Sequence, residues 1–316
     1  PFYNIGCLFL DLGRIKTAHY YFNKSKEIKV DDYTNLNNLS LCKLKLKDFK
    51  NGFLLYENRL KKKNDAVKKK FSQIASPSSL NEIKDKKILI WDEQGLGDTI
   101  QFSRFVIDLL KYSKNITLVV NSKLCKILNN LDEKIQVYDY NKIDESKFDF
   151  QIPLCSLPKF LKIEKVEDIN FYKLNVVFDK TINFNLDPKN YNIGLSWSGN
   201  SKYFLDQYRS IPFANFKNIL NFKEINYYKL SKDKKEDEAA EIDSFTNLSD
   251  MGDKSLYEIS NLMNSLDLVI SSDTSIIHLA GILNIKSVLL LNYNSDWRWF
   301  DDSKNTIWYP SVKILK

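Results

Sequence analysis

The chain has 316 residues, 43% of them hydrophobic and 13% aromatic, enough for two or three modest domains with real cores and too much for a disordered chain. Its 47 Lys and Arg against 40 Asp and Glu leave a net charge of +7, mostly as dispersed lysines, which is weak evidence for any polyanionic partner. No apolar run approaches the roughly 20 residues that cross a bilayer, and Cys7, Cys42, Cys125 and Cys155 lack paired or metal-ligand spacing, which suits a reducing, cytoplasmic setting, or the inner face of a membrane.

Residues 1–60 carry an internal repeat. Gly6 and Ser40, Leu12 and Leu46, Ala18 and Gly52, and Phe22 and Tyr56 pair at one offset of 34 residues. Small residues where two helices cross, with an aromatic packed beside them, mark tetratricopeptide helix pairs at this period. The pattern Asn4-x-Gly6, Leu12-Gly13, Ala18-x-x-x-Phe22 resembles that family, whose stacked pairs usually offer a groove to a peptide or protein. Two units are fewer than a free solenoid normally needs. They are expected to cap the next domain or to continue before Pro1, where an earlier segment is expected. His19 reads as a packing or surface residue of a repeat helix. Residues 61–85 are a basic linker, with Lys61–Lys70 as its charged run and Ser76-Pro77-Ser78-Ser79 as a breaker. The run reads as a solvated face, and nucleic acid is disfavoured as a partner.

From Lys86 onward strands and helices alternate. Lys87–Trp91 is a short apolar run bounded by charge, as in a buried parallel strand. Asp98–Leu110 has apolar residues at helical spacing. Between them Gln94-Gly95-Leu96-Gly97-Asp98 is a tight turn. Its two glycines are expected to permit positive φ and the close approach of a ligand at the carboxyl end of the strand. The turn lacks the third glycine of a dinucleotide fingerprint and the Lys-Ser/Thr of a phosphate loop. A carboxylate at a helix N-terminus also repels phosphate. Asp98 is therefore either a helix cap or a general base held ionised beside a cleft, and spacing alone favours the cap slightly.

Ile116–Asn121, Ile135–Tyr138 and Phe148–Leu154 are predicted strands, with helices at Ser122–Leu131 and Cys155–Leu161. They complete an N-terminal Rossmann-like domain over 86–175. A second Rossmann-like domain over 176–316 has predicted strands at Asn192–Trp197, Glu224–Leu230, Asp267–Ser271 and, last, Lys286–Leu291. Its helices are expected at Phe213–Leu220, Ser255–Leu266 and Ile276–Leu283. Two such halves across a cleft suggest the GT-B architecture of nucleotide-sugar glycosyltransferases. The expected fold class is α/β with an all-α N-terminal part.

In the second half, Asp273-Thr274-Ser275 lies at a strand end and helix start, where backbone N–H groups and two hydroxyls can hold an anion. Thr274 and His278 share a helix face. They either reach one diphosphate together or form an N-cap followed by a packed histidine. Arg209 follows the loop Trp197–Tyr208 and either offsets charge on a leaving diphosphate or is a surface arginine. Asp296-Trp297-Arg298-Trp299 reads as domain packing before a base-stacking platform.

Three sets of residues in order carry a wider resemblance. They are Glu93-Gln94-Gly95-Leu96-Gly97-Asp98-Thr99-Ile100-Gln101-Phe102-x-Arg104; then Trp197-Ser198-Gly199-Asn200 with Arg209-Ser210-Ile211-Pro212; then Asp267 to Ser271, Asp273-Thr274-x-x-x-His278-Leu279-Ala280-Gly281, Asp296-Trp297-Arg298-Trp299 and Trp308-Tyr309-Pro310. Together they resemble bacterial tetratricopeptide-repeat proteins whose C-terminal part is similar to glycosyltransferase family 9, the heptosyltransferases. The resemblance implies an inverting, metal-independent transfer, with no cofactor beyond a nucleotide-diphosphate sugar as donor substrate and with a glycan or protein acceptor. It raises Asp98 from cap to catalytic base, beside an acceptor-side loop of Gln94, Gly95 and Gly97. Asp273, Thr274, Ser275 and His278 grip the donor diphosphate, with Arg209, Trp197 and Asn200 on the same donor side. A protein partner would dock through the repeats. Gln101 stands where heptosyltransferases commonly have a histidine, Asn292-Tyr293-Asn294-Ser295 replaces their Gly-Pro-Thr, and the repeats are foreign to them, so heptose itself is poorly supported. The competing expectation is a non-catalytic interaction scaffold with a degenerate transferase-like domain.

Overall fold

The computed structural model describes the chain except for residues 62–69, 178, 180, 183, 185, 201–205, 233–235 and 301–303. The basic run read at Lys61–Lys70 falls almost wholly outside the described residues.

Four helices come first: α1 (Phe2–Asp11), α2 (Ile15–Ile28), α3 (Tyr33–Lys45) and α4 (Phe49–Tyr56), each packed on the next. Aspartates start two of them. Asp32 accepts the N–H groups of Thr34 and Asn35, and Asp48 that of Asn51. Glycines let the helices close: a Cβ on Gly6 would stand 2.6 Å from the Phe22 ring, and one on Gly52 2.7 Å from Leu44. These are small-residue positions that the 34-residue period singles out.

Two all-parallel sheets follow. The first joins β1 (Lys87–Trp91), β2 (Asn115–Val119), β3 (Ile135–Tyr138) and β4 (Phe150–Pro153) in the order β3-β2-β1-β4, with Ile88 opposite Ile116 and Phe150. The second joins β5 (Tyr191–Ser196), β6 (Ile225–Lys229), β7 (Leu248–Asp250), β8 (Leu268–Ser271), β9 (Ser287–Leu290) and β10 (Val312–Leu315) in the order β10-β9-β8-β5-β6-β7. In each sheet the chain runs outward from its first strand, then returns to that strand's other side. The reversals leave crevices at the carboxyl ends of β1 and β4 and of β5 and β8, where open α/β sheets bind ligands.

The helices between strands are α5 (Leu96–Phe102), α6 (Arg104–Leu109), α7 (Ser122–Leu128), α8 (Leu157–Phe160), α9 (Glu236–Ile242), α10 (Leu256–Met263) and α11 (Ser275–Ile282). Across the two halves α5 packs on α11, and α7 on α10. One continuous apolar core runs from Phe49, Phe53 and Tyr56 of α4 through Ile88 and Ile90 to Val269, Leu289 and Trp308.

Several sequence expectations are corrected. The helix read at Asp98–Leu110 is broken at Ser103, whose hydroxyl donates to the Ile100 carbonyl and competes with the helical ladder. The helix read at Phe213–Leu220 is two 3-10 turns, Phe213–Phe216 and Ile219–Asn221. Burying Phe213 and Phe216 at a spacing of three suits that tighter turn. Lys286–Leu291 is not the final strand, because β10 pairs beyond it. β7 and β10, of three and four residues, are too short for a hydrophobic alternation to stand out. The glycines of the turn after β1 are not there for positive φ: Gly95 has φ −68, and of the described glycines only Gly13 lies in that region.

The helical part is joined to the sheets by buried charge. Arg59, just past α4, donates from Nε and Nη2 to the two carboxylate oxygens of Glu93 at 3.1 and 2.6 Å, with both side chains about 95% buried or more. It also meets Glu57 and Ser156. Lys45 reaches across to Ser295 Oγ at 2.9 Å, and Asn294 donates to the carbonyls of Leu10 and Asp11. Removing one partner of such a pair leaves a buried charge uncompensated. Arg59→Ala is expected to lower unfolding free energy by about 3–5 kcal/mol in urea melts, and Arg59→Met with Glu93→Leu to recover part of that loss.

Candidate active site

Three carboxylates and two cationic or neutral nitrogen groups converge where α5 meets α11. Asp98, in the first turn of α5, accepts the Gly95 N–H through Oδ2 at 3.1 Å, which closes the helix start. Its other oxygen, Oδ1, is ion-paired with Nη2 of Arg298. Both of the roles weighed for Asp98 are thus compatible with its position: it caps its helix and faces the cleft with 22% of its side-chain surface open.

Arg298 was seen in the sequence only as part of an aromatic cluster, and its reach to Asp98 spans 200 residues. Its guanidinium also donates from Nη1 to Asp296 at 2.7 Å and lies over the Trp297 ring. Burial works against its charge, but Asp296 and Asp98 more than offset that and hold the group firmly protonated.

Gly97 explains how close the halves come. A Cβ there would stand 2.8 Å from Cδ2 of His278 on α11, so the turn needs glycine for contact with the second half. His278 is buried and is pushed well below the usual histidine range by burial and then by Arg298 and Arg104, so it is neutral at pH 7. Its Nδ1 lies 2.9 Å from the Tyr309 hydroxyl. Arg104 lies over the Tyr309 ring; with the tyrosine O–H donated to Nδ1, the imidazole proton sits on Nε2. Nε2 is 3.9 Å from Asp273 Oδ1, too far for a hydrogen bond and able to donate elsewhere. Neither Arg104 nor Tyr309 stood out as a site residue in sequence; both sit in the motifs that carried the resemblance.

Asp273 keeps 21% of its side-chain surface open. Burial and the nearby Asp296 push its carboxyl up to about 6, against the pull of Arg298 and Arg209. Ser275 is half-buried at the first turn of α11. Thr274 is the N-cap of α11 and its hydroxyl turns inward. It accepts the Ile276 N–H at 3.3 Å and lies within 3.4 Å of the Ser196 and Ser271 hydroxyls, leaving it 6% exposed. Arg209 donates to Asp206 at 3.0 Å and to the Asp273 carbonyl at 3.4 Å, with its guanidinium laid against Gly199. That contact brings the loop after β5 to the loop after β8. Asn200 is exposed on the same loop, as are Gln94 and Gly95 on the turn after β1. Trp197 is the departure: it is 1% exposed and packs on Phe213 and Phe216 inside the second sheet's own core, offering no face to a ligand. A bulky aromatic at a strand end fills the layer between sheet and helix unless something holds it out. Gln101, one turn below Gly97, is fully buried with neither amide atom hydrogen-bonded.

No protein-family model matches the chain, and no curated protein matches it in sequence. Its fold is shared with solved glycosyltransferases. E. coli ADP-heptose lps heptosyltransferase II superposes with TM-score 0.52 at 12% identity, over 72% of this chain and 90% of that one. The glycosyl transferase family 9 protein of Veillonella parvula DSM 2008 gives 0.54 at 13%, over 74% and 86%. The dodecameric, iron-containing heptosyltransferase TibC, of enterotoxigenic E. coli, gives 0.53 at 12% in its complex with ADP-D-beta-D-heptose, over 74% and 63%. The protein thus has the GT-B-like fold of family 9 glycosyltransferases. Among the described residues no three His, Cys, Asp or Glu side chains gather as a ligand set for a metal ion such as TibC's iron, and no helix is long and apolar enough to cross a membrane.

Two outcomes test this geometry. A Cβ at position 281 would stand 2.4 Å from the Tyr309 ring, so Gly281→Ala is expected to cost about 1–3 kcal/mol by displacing the tyrosine that orients His278, read from urea melts. Asp273 has a folded value above that of an exposed aspartate. Between about pH 4 and 6 the folded protein therefore binds more protons than the unfolded chain, and stability falls as pH rises through that window. Asp273→Asn is expected to melt higher than the parent at pH 7.5, by of the order of 2 kcal/mol, and to match it below about pH 4.

Proposed function

We propose that the protein is a glycosyltransferase that moves a sugar from a nucleotide-diphosphate sugar to a hydroxyl acceptor by an inverting, metal-independent displacement, with the N-terminal helices serving as tetratricopeptide repeats that guide the acceptor or a partner. The observation that carries this reading is the packing of α5, whose first turn carries Asp98, on α11, which carries His278 and is preceded by Asp273, with Gly97 set against the His278 ring outside the carboxyl ends of β1 and β8. The fold shared with heptosyltransferases supports it.

In this reading Asp98 takes the proton of the acceptor hydroxyl as its oxygen attacks the anomeric carbon. The bond from that carbon to the β-phosphate oxygen breaks on the opposite face, and the nucleoside diphosphate leaves. Charge then develops on the diphosphate. The Nε2–H of neutral His278, the Arg209 guanidinium and the first N–H groups of α11 are the donors nearest to offset it. Thr274 serves by fixing the start of α11, since its hydroxyl is spent inside the fold. The bound ADP-heptose of TibC makes ADP conjugates the first donors to try.

One observation favours the other reading, a non-catalytic scaffold: both carboxylate oxygens of Asp98 already have partners. Thermal shift against ADP, UDP, GDP and CMP, beside their sugar conjugates, separates the two. A transferase is expected to show a clear shift with one diphosphate that His278→Ala or Arg209→Ala removes. With that donor, Asp98→Asn is expected to lower turnover about 100-fold or more. A folded sample that responds to none of them supports the scaffold.

A further inference from the structure

We propose that Arg298 is shared between the base and the donor: its guanidinium holds Asp98 idle in the ligand-free protein and passes to the diphosphate when the donor binds. The inference rests on the transferase reading and names how that site is kept in order.

The charges around Arg298 carry it. Asp98 and Asp296 both pair with the one guanidinium, and Asp273 lies close enough for its carboxyl to feel that charge. Three carboxylates around a cleft repel a diphosphate unless a cation stands between them. Arg209, bonded to Asp206 and to the Asp273 carbonyl, stands on the donor side and reaches neither Asp98 nor Asp296 in the hydrogen bonds it makes there. His278 is neutral. Arg104, also at the junction of the two halves, donates to the carbonyls of Gln101 and Trp308, whereas Arg298 is in contact with the acceptor-side carboxylate and within the field of the donor-side one.

Its hydrogen bonding is also incomplete. Nη2 serves Asp98 and Nη1 serves Asp296, but the Nε–H is buried with no acceptor, in a side chain only 10% exposed. An orphan buried donor on a charged group is costly, and a phosphate oxygen is the acceptor that a guanidinium fork fits best.

The exchange is one of side-chain motion, because residues 294–298 are held to the helices and to Trp308. Lys45 holds Ser295 and Asp296, Asn294 closes the end of α1, Trp297 is packed edge-on against Phe53, Tyr56 and Trp308, and the Trp308 indole donates to the Arg298 carbonyl at 2.8 Å. The helical part thus presents the residue. Losing the guanidinium leaves Asp98 its helix-start bond to Gly95 and restores an open oxygen for the acceptor proton. The base is freed only once a leaving group is in place, which makes donor binding precede acceptor activation.

The test is a double-mutant cycle in diphosphate affinity, measured by titration calorimetry with ADP, UDP and GDP on the full chain. Asp98→Asn releases Arg298 and is expected to tighten the preferred diphosphate about tenfold, a direction that general damage to the fold does not produce. Arg298→Gln is expected to weaken it about tenfold. The double variant is expected to match Arg298→Gln alone, because freeing a guanidinium that is absent gains nothing. If Asp98→Asn tightens binding equally with and without Arg298, simple repulsion explains it and the exchange is overturned. Should Arg298→Gln fail to fold, Arg298→Lys takes its place in the cycle: without the guanidinium fork most of the gain from Asp98→Asn is expected to disappear, and equal tightening in both backgrounds overturns the proposal. Wild-type protein that binds none of the three overturns the transferase reading and this inference together, whereas binding without coupling overturns this inference alone.

Discussion

The turn from Glu93 to Asp98 is held at each end by an arginine that comes from far along the chain. Arg59 closes on Glu93 and Arg298 on Asp98, and each is flanked by a second carboxylate, Glu57 or Asp296. Between these two anchors Gly97 lets α5 approach His278 without a side chain in the way. The position of the candidate base thus depends on the helical part twice, through Arg59 directly and through the loop that carries Arg298. A helical module joined by a flexible tether alone would not have this effect. Here α4 shares one apolar core with both sheets, so module and cleft form one packed body.

That arrangement is expensive in charge. Buried ion pairs rarely add net stability over an apolar filling, but breaking one is severe. The chain nevertheless buries Arg59, Arg104 and Arg298 along with Glu93. Asp273 is held in an environment that resists its ionisation, and His278 in one that resists protonation. Opposed shifts in neighbouring groups are what proton-transfer and anion-binding sites require. Apolar groups at these positions would be cheaper to bury, so their presence beside a glycine-lined contact is consistent with the proposed transferase cleft.

The strand orders explain why a fold can be shared at 12–13% identity. Parallel strands buried on both faces ask only for apolar runs of the right length, and short connections fix their sequence in the sheet. Such demands tolerate almost any exchange among Ile, Leu and Val.

Much of this was legible in the chain itself. β1 and β3 fall where the apolar runs Lys87–Trp91 and Ile135–Tyr138 predict, because a buried parallel strand is a local pattern. The helix start at Ser255, the N-cap at Thr274 and the close helix crossings at Gly6 and Gly52 follow from spacing and residue type for the same reason, whereas the helix expected from Asp98 starts at Leu96 with Gly95 as its N-cap. Short strands such as β7 and β10 escaped because three or four residues carry too little periodicity to separate from loop. What the sequence could not contain is which polar groups meet: Arg59 with Glu93, Arg298 with Asp98, and Tyr309 with His278 are separated by 34, 200 and 31 residues. Nor could it say that Trp197 turns into the core and Thr274 inward. Local propensity sets an element and its face, but the partner of a long polar side chain is chosen by the packing of elements that only the tertiary structure brings together.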